Sequence, residues 1–155
     1  MKPIVTVDRY IGFRRGNIYD LMWDNVNLDS KTVTAYDTKN GEPVLVPLSD
    51  TPYEVLVSMN KEKGKYPDCP YVFHKDGKQL TPGQVSKAFE RACKKAGITK
   101  FRFHDLRHDF ASNLVQKGQS LYHVQRLLGH KDSRMTQRYA HLRVDDLRKA
   151  VEVLG

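Results

Sequence analysis

The chain has 155 residues, the length of one ordinary domain and enough to enclose an apolar core. Its hydrophobic share of 39% excludes a disordered chain, and it has neither an apolar run long enough to span a membrane nor a signal-peptide core. The formal net charge is +8, and residues 100–143 carry nine Lys and Arg against three Asp, a local excess that indicates a polyanionic partner.

Cys69 and Cys93 are the two cysteines, and they do not form a CxxC motif. One disulfide is the most that they could make, and both are predicted to be reduced thiols. Because no membrane segment is predicted either, the protein is expected to be cytoplasmic and to meet its partners there.

The N-terminal third is predicted to hold one short helix and a β-hairpin. Residues 1–7 lack a helix cap and are expected to be the cut end of a fragment from a longer protein. Apolar residues at helical spacing predict an amphipathic helix over residues 16–25. Residues 31–36 and 44–48 have strand character, and the Asn-Gly pair between them predicts a hairpin with Lys39 at its tip.

The rest of the chain is predicted to be mostly helical, with a short strand at 71–73 and an Asp-Gly turn after it. Thr81 and Pro82 are typical of a helix start, and Gly97 marks the end of that helix. The other predicted helices cover residues 52–63, 104–117, 120–129, 135–142 and 144–154. The fold class is therefore α+β, mainly a helical bundle beside a small antiparallel three-stranded sheet, in one domain over residues 1–155.

His104 and Arg107 lie three residues apart in the motif HDLRH, so both face one side of a helix. The guanidinium fork matches phosphate oxygens, and a helix N-terminus attracts anions. By itself this spacing is more typical of a solvated polar helix surface. His108 follows His104 by four residues, a spacing of metal ligands, but no third ligand is near. No metal site is predicted, and His108 is interpreted as a packed or capping residue.

Tyr139 is a candidate nucleophile. A tyrosine hydroxyl has a pKa of about 10, so a nucleophilic tyrosine needs cations and a proton acceptor close by. Most tyrosines on helices pack in a core or an interface, and this chain has eight. What distinguishes Tyr139 is its company, namely Arg14, Lys39, His104, Arg107 and His130. This set of residues indicates phosphoryl transfer on nucleic acid through a covalent tyrosine intermediate.

Five short segments extend this pattern over nearly the whole chain. They are GFRRG at 12–16, TKNG at 38–41 with VPL at 46–48, HDLRH at 104–108, LGH at 128–130 and MTQRYAH at 135–141. Each is a weak pattern alone. In this order and with these gaps, they resemble the catalytic domain of the tyrosine recombinase (phage integrase) family.

The resemblance implies how a DNA phosphate would be held. Arg14 and Arg107 would bind the non-bridging oxygens of the scissile phosphate and neutralise charge that develops in the transition state. His130 would donate a hydrogen bond to the same phosphate. All three would act on the phosphate without bonding to it covalently.

The resemblance also implies the covalent step. Tyr139 would attack phosphorus and form a 3′-phosphotyrosyl link, and Lys39 would protonate the leaving 5′ oxygen, so that a 5′ hydroxyl is released. His104 would act as a general acid or base near the tyrosine. Because the link keeps the energy of the phosphodiester, strand rejoining would need no ATP, metal or other cofactor.

The implied partner is double-stranded DNA, on which the full-length protein would act as a tetramer. The isolated chain is expected to be monomeric, since the N-terminal DNA-clamping domain of the family is absent from it. Two further departures are Asn17, where the family often has Glu, and Val44, where a second basic residue often follows the hairpin lysine. None of these differences removes a proposed catalytic residue.

Two other functions fit parts of the sequence. Residues 104–129 read as helix, glycine-containing turn and helix, which suits a non-catalytic helix-turn-helix DNA-binding module. The second function is that of an RNase-like acid-base nuclease, which would use His104 and His130 without a covalent step. Neither function needs Tyr139, so a covalent protein–DNA adduct discriminates between them and the recombinase.

Overall fold

The computed structural model describes residues 1–36, 42–142 and 151–153. Helices surround a small antiparallel sheet, so the predicted α+β class is confirmed. Among the described residues, no helix combines the length and apolar character that crossing a membrane requires.

The N-terminal residues form a ten-residue helix, α1 (Lys2–Ile11), which packs against later helices through Ile4 and Val7. The sequence predicts no helix over these residues. The helix begins without a capping side chain, so the usual start signal is missing from the sequence. It ends at Gly12, whose φ of 62° is the left-handed conformation that glycine adopts without strain.

The predicted helix over residues 16–25 is shorter than expected. Helix α2 (Arg15–Tyr19) has five residues, and a 3₁₀ turn (Trp23–Asn25) follows it. Between them the chain turns extended, because Met22 pairs with Tyr71 in an isolated β-bridge. The pairing with Tyr71 therefore ends the helix at Tyr19, although the apolar residues continue at helical spacing beyond it.

Three strands form the main sheet, in the order β1 (Val26–Asn27), β2 (Thr32–Tyr36) and β3 (Pro43–Pro47), all antiparallel. Val33 lies opposite Val46, and both are buried. The two predicted hairpin strands and the three-stranded antiparallel sheet are confirmed. The predicted turn that carries Lys39 lies outside the described residues.

Helix α3 (Asp50–Lys61) follows the sheet, and its Leu56 is fully buried. The strand predicted at 71–73 is wrong, because only Tyr71 pairs there, in its bridge to Met22. The strands that do form are β4 (His74–Lys75) and β5 (Lys78–Gln79), a hairpin around the predicted Asp-Gly turn.

Three predicted helices are confirmed within one or two residues at each end. They are α4 (Pro82–Lys95), α5 (Asp105–Gln116) and α6 (Leu121–Leu128). Thr81 caps α4 in a capping box with Gln84, and Ser120 caps α6.

The C-terminal helices differ from the sequence prediction. The single helix expected over 135–142 is divided into α7 (Arg134–Gln137) and a 3₁₀ turn (Ala140–Leu142), with Tyr139 between them. Most of the helix predicted over 144–154 lies outside the described residues, and residues 151–152 are helical.

Two apolar clusters hold these elements. The larger joins α1, α2, the main sheet, α3 and α4. The smaller lies between α5 and α6 and includes the ring of Tyr139 beside Phe110, Val115 and Val124. Tyr139 is therefore anchored in the core through its ring.

Gly12 lies where α1 meets α5, and we expect Gly12→Ala to destabilise the domain. A Cβ atom there would overlap the ring of Phe110, and the φ of 62° would strain any L side chain. The two effects together should cost about 2–4 kcal/mol of unfolding free energy, measured by urea denaturation. Gly83→Ala is the matched control, because a Cβ atom at Gly83 meets nothing within 4 Å. Equal unfolding midpoints for the two variants would contradict the close packing at Gly12.

Candidate active site

A large cleft lies along α5 and the loops at its N-terminal end. Its volume is about 1580 Å³. Five of the six predicted site residues line it, namely Arg14, His104, Arg107, His130 and Tyr139. The sixth, Lys39, is outside the described residues. Folding thus gathers residues from both ends of the chain around one cleft.

Arg14 is placed by the turn that ends α1. Gly12 turns the chain, Phe13 is buried as an anchor, and Arg14 precedes the first residue of α2 with φ −66° and ψ 146°. The Arg14 charge also lowers the pKa values of Arg107 and His130, which shows that the three groups are close. The turn therefore presents the Arg14 side chain to the same cleft as α5.

Arg107 is held in the wall of the cleft by two backbone carbonyl groups. Its Nη1 donates to the Gly12 oxygen at 2.7 Å and its Nη2 to the Leu128 oxygen at 2.7 Å. The residue is 7% exposed, and burial followed by repulsion from Arg14 lowers its pKa to about 10. The guanidinium is therefore still charged at neutral pH and fixed in direction.

His130 follows the left-handed Gly129 at the end of α6. Its Nδ1 lies 2.9 Å from the Oγ1 atom of Thr136, which is 1% exposed. Burial, followed by the charges of Arg107 and Arg14, lowers the pKa of His130 to about 4, so the ring is neutral near pH 7. When Thr136 donates to Nδ1, the proton of the ring is on Nε2, where it is a donor for a ligand in the cleft.

Tyr139 lies between α7 and the last 3₁₀ turn, with its hydroxyl oxygen 2.6 Å from Nδ1 of His108. The side chain is 6% exposed. Burial raises the pKa of Tyr139, while the charges of Arg138 and Arg107 act in the opposite direction. The hydroxyl is therefore protonated near neutral pH and has a histidine as its hydrogen-bond partner.

His104 stands at the N-terminus of α5 and is exposed in the cleft. Its ring centroid lies 5.4 Å from that of His108, edge to face. Desolvation, followed by the nearby His108 and Arg107, lowers the pKa of His104. His104 is thus mainly neutral at pH 7 and faces the solvent side of the site.

Asp8 is a buried carboxyl group below the cleft, on the inner face of α1. It is 1% exposed, and its Oδ1 has no hydrogen-bond partner among the described residues. Burial raises the pKa of Asp8 to about 8, against the opposing effects of the Arg107 charge and of a hydrogen bond from the Phe13 backbone. The carboxyl group therefore holds a proton in the folded chain at a pH where it would be ionised in the unfolded chain.

Asp8 should make the domain less stable as pH rises. Its pKa is raised from 3.8 to about 8, so between these values the folded state binds a proton that the unfolded state has lost. Stability is then highest near the lower value and declines as pH rises through the window. We expect Asp8→Asn to flatten this decline by a few kcal/mol, measured by urea denaturation from pH 5 to pH 8. Asp68→Asn, at an exposed position, is the control, and equal slopes for the two variants would contradict the burial effect.

Comparison with known proteins identifies this arrangement. The profile of the phage integrase family matches residues 2–145, which is most of the chain. The chain belongs to the phage integrase family. The integrase of Salmonella phage P22 is 33% identical over 155 residues, an alignment that covers 92% of this chain and 39% of the P22 protein. The chain spans about half or less of the length of the curated relatives it matches.

Solved structures show the same fold. The crystal structure of XerA recombinase has a TM-score of 0.82 at 27% identity and covers 96% of this chain and 55% of that one. XerH site-specific recombinase was solved bound to palindromic difH substrate in a post-cleavage complex. It has a TM-score of 0.81 at 26% identity and covers 99% of this chain and 45% of that one. This integrase-family chain is therefore a tyrosine recombinase catalytic domain.

Three further residues of this integrase-family site were not found from the sequence. His108 was predicted to be packed or capping, yet it bonds to Tyr139; its position one turn after His104 was the available signal. Thr136 orients His130, and nothing in the sequence marks it. Asp8 could have been noticed, because it is the one acidic residue of α1 and it follows Val7 on the apolar face.

Proposed function

We propose that this domain breaks and rejoins DNA strands in site-specific recombination through a covalent tyrosine–DNA intermediate. The observation that carries the proposal is the position of the Tyr139 hydroxyl, in one cleft with two arginines and with His130. Tyr139 has its ring in the apolar core and its oxygen at the cleft, so the oxygen is directed toward a phosphate bound there. A DNA reader without chemistry needs no such tyrosine.

In the proposed reaction, the Tyr139 oxygen attacks phosphorus and the bond from phosphorus to the 5′ oxygen breaks. The protein keeps the 3′ phosphate, and the released 5′ oxygen takes a proton from Lys39, the role that the family resemblance implies for it. Rejoining is the reverse, with a 5′ hydroxyl as the attacking group. One phosphoester replaces another at each step, so the reaction calls for no ATP and no cofactor.

The cations of the cleft supply the electrostatic part of catalysis. Arg107 lines the cleft and is fixed by its two backbone carbonyl partners, so its charge acts there without reorganising. Arg14 lies close to it, and neutral His130 adds a hydrogen-bond donor. His104, an exposed residue of the cleft, is the residue to which the family resemblance assigns acid-base catalysis near the tyrosine. Charge that develops on the phosphate oxygens would be stabilised by these preorganised groups.

We also infer that the whole protein binds double-stranded DNA in the cytoplasm as a tetramer on two sites. XerH was solved on a palindromic substrate. A palindrome has two equivalent arms, and a protein that reads both binds with at least two copies. Two such DNA sites brought together would therefore carry four copies of the protein.

The proposal is tested by trapping the adduct. The purified chain is incubated with nicked duplexes of randomised sequence, on which the small fragment beyond the cut diffuses away and rejoining fails. We expect an adduct that survives denaturation, with Tyr139 joined to a 3′ phosphate and a free 5′ hydroxyl on the released fragment. DNA binding without any adduct would support the helix-turn-helix reader, and cleavage without an adduct would support the acid-base nuclease.

DNA binding should weaken steeply as salt rises, because phosphate contacts release counterions. With only two or three such contacts, affinity falls at least about tenfold between about 50 and 200 mM salt. Lys100→Gln, in the lining of the cleft, should reduce the slope of log affinity against log salt by about one unit. Lys61→Gln removes an equal charge from an exposed position on α3 away from the cleft and should leave the slope unchanged. A flat salt response of the unmodified chain would argue against a DNA surface.

A further inference from the structure

The hydroxyl of Tyr139 has a defined partner before any DNA binds. Its oxygen lies 2.6 Å from Nδ1 of His108, the residue that follows Arg107 on α5. The two rings lie 6.1 Å apart between centroids, tilted by 47°. Because the Tyr139 ring is anchored in the α5–α6 cluster and His108 is half-buried on α5, both sides of this bond are held by packed elements. The hydrogen bond is therefore part of the resting site.

Attack on phosphorus requires that the Tyr139 oxygen lose its proton. The acceptor must lie within hydrogen-bond reach of that oxygen. His104, to which the family resemblance assigns the acid-base role, lines the cleft with its ring beside His108. Among the described residues, His108 is the histidine that meets the geometric requirement.

We infer that His108 is the proton acceptor for Tyr139 in the proposed strand cleavage, an inference that rests on the proposed function. As the phenol oxygen bonds to phosphorus, its proton moves to Nδ1 of His108, and the 5′ oxygen leaves with the proton that Lys39 supplies. In rejoining, the 5′ hydroxyl attacks phosphorus and gives its proton back to Lys39, the bond to Tyr139 breaks, and His108 returns its proton to the departing phenolate. No proton is gained or lost over the cycle by the protein and DNA together.

Charged and titratable groups surround His108 on each side. On its own helix it follows Arg107 and lies close to Asp105 and His104. His130 lies close to it from the loop after α6, and Arg138 lies beside Tyr139. Because the 2.6 Å contact joins Nδ1 directly to the Tyr139 oxygen, a proton that moves to His108 can return along the same bond.

The inference leaves His104 for another role. Exposed at the N-terminus of α5, His104 is placed to contact the phosphate of a bound strand rather than the tyrosine. The two histidines of HDLRH would then have different roles. His104 would contact the DNA phosphate, and His108 would accept the proton of the nucleophile.

The competing interpretation is that His108 only holds Tyr139 in place. Two substitutions separate the interpretations. His108→Asn keeps an acceptor near the position of Nδ1, so it preserves the hydrogen bond but has no basic nitrogen. His108→Ala removes both. The measurement is the single-turnover rate of adduct formation on a nicked duplex, with DNA binding and thermal unfolding measured beside it.

If His108 is the proton acceptor, both variants should slow adduct formation by about 10²–10⁴-fold with DNA binding unchanged. If it only holds the tyrosine, His108→Asn should react at close to the normal rate, and the inference would be overturned. His123→Ala, at an exposed position on α6, is the control for loss of a histidine and should react normally.

A fluorinated tyrosine at position 139 gives a second readout. Its phenol is more acidic, so it depends less on a proton acceptor. It should restore much of the rate lost in His108→Ala and change the rate of the unmodified chain little. If the fluorinated tyrosine does not restore the rate of adduct formation in His108→Ala, the role of His108 is structural and the inference is overturned. This comparison is made within the His108→Ala background, so it also holds if that variant is less stable. The proposed function is judged separately, because it fails only if the unmodified chain forms no adduct.

Discussion

Tyr139→Phe should abolish the covalent protein–DNA adduct while leaving DNA binding nearly intact. The substitution removes a single oxygen, the one that would bond to phosphorus, so the phenyl ring that remains has no nucleophilic atom. The ring remains in its apolar cluster, since phenylalanine fills the same space. The expected result is loss of the adduct on nicked duplexes to below detection, with a dissociation constant for DNA within about fivefold of normal, since one neutral hydrogen bond contributes about 1 kcal/mol.

Tyr122→Phe is the matched control for Tyr139→Phe. Tyr122 is 65% exposed on α6 and does not line the cleft, so its hydroxyl should be dispensable for the adduct. The Tyr139→Phe variant loses the hydrogen bond to His108, so its unfolding free energy should fall by about 1 kcal/mol. An adduct that persists in Tyr139→Phe would assign the nucleophile to another residue.

The sequence predicted those parts of the domain whose signals are local. Thr81 and Ser120 marked helix starts that the structure confirms. The Asn-Gly pair between two runs of strand character predicted the antiparallel pairing of β2 and β3. The elements that were predicted wrongly lack a local signal or depend on distant residues. Helix α1 has no capping side chain, and the 16–25 helix ends early because Met22 pairs with Tyr71, a residue far away in the chain. Pairing between distant segments cannot be read from spacing along one segment.

The same distinction applies to the site. Arg14, Arg107, His130 and Tyr139 were found because short motifs surround them, and the structure places them in one cleft. The contacts that orient them were not found, because each joins residues far apart in sequence or of ordinary type. The bonds from Arg107 to the carbonyls of Gly12 and Leu128 are an example, since any residue has a backbone carbonyl.

These contacts link catalysis to folding. The Gly12 carbonyl belongs to the turn that presents Arg14, and the Leu128 carbonyl belongs to the end of α6 that presents His130. Arg107 therefore bridges both segments that would hold the phosphate. One side chain determines where two other phosphate-binding groups lie, in addition to its own charge in the cleft.

Arg107→Ala should accordingly lower both catalysis and stability. Loss of one preorganised cation should slow single-turnover adduct formation by about 10²–10³-fold. Two buried carbonyl groups would also lose their donors, which should cost about 2–4 kcal/mol of unfolding free energy. The measurements are the adduct rate on nicked duplexes and urea denaturation. Arg126→Ala removes an exposed arginine from α6 and should leave the unfolding free energy unchanged.

Arg107→Lys separates the two effects of Arg107. Lysine keeps the positive charge, but a single ammonium group lacks the planar fork that reaches the Gly12 and Leu128 carbonyls together. If the fork matters for placing Arg14 and His130, the lysine variant should recover part of the stability and little of the rate. Recovery of the full rate would show that charge alone suffices. A rate in Arg107→Ala close to normal would remove Arg107 from the transition state, because a fixed cation beside the developing charge cannot be lost without cost.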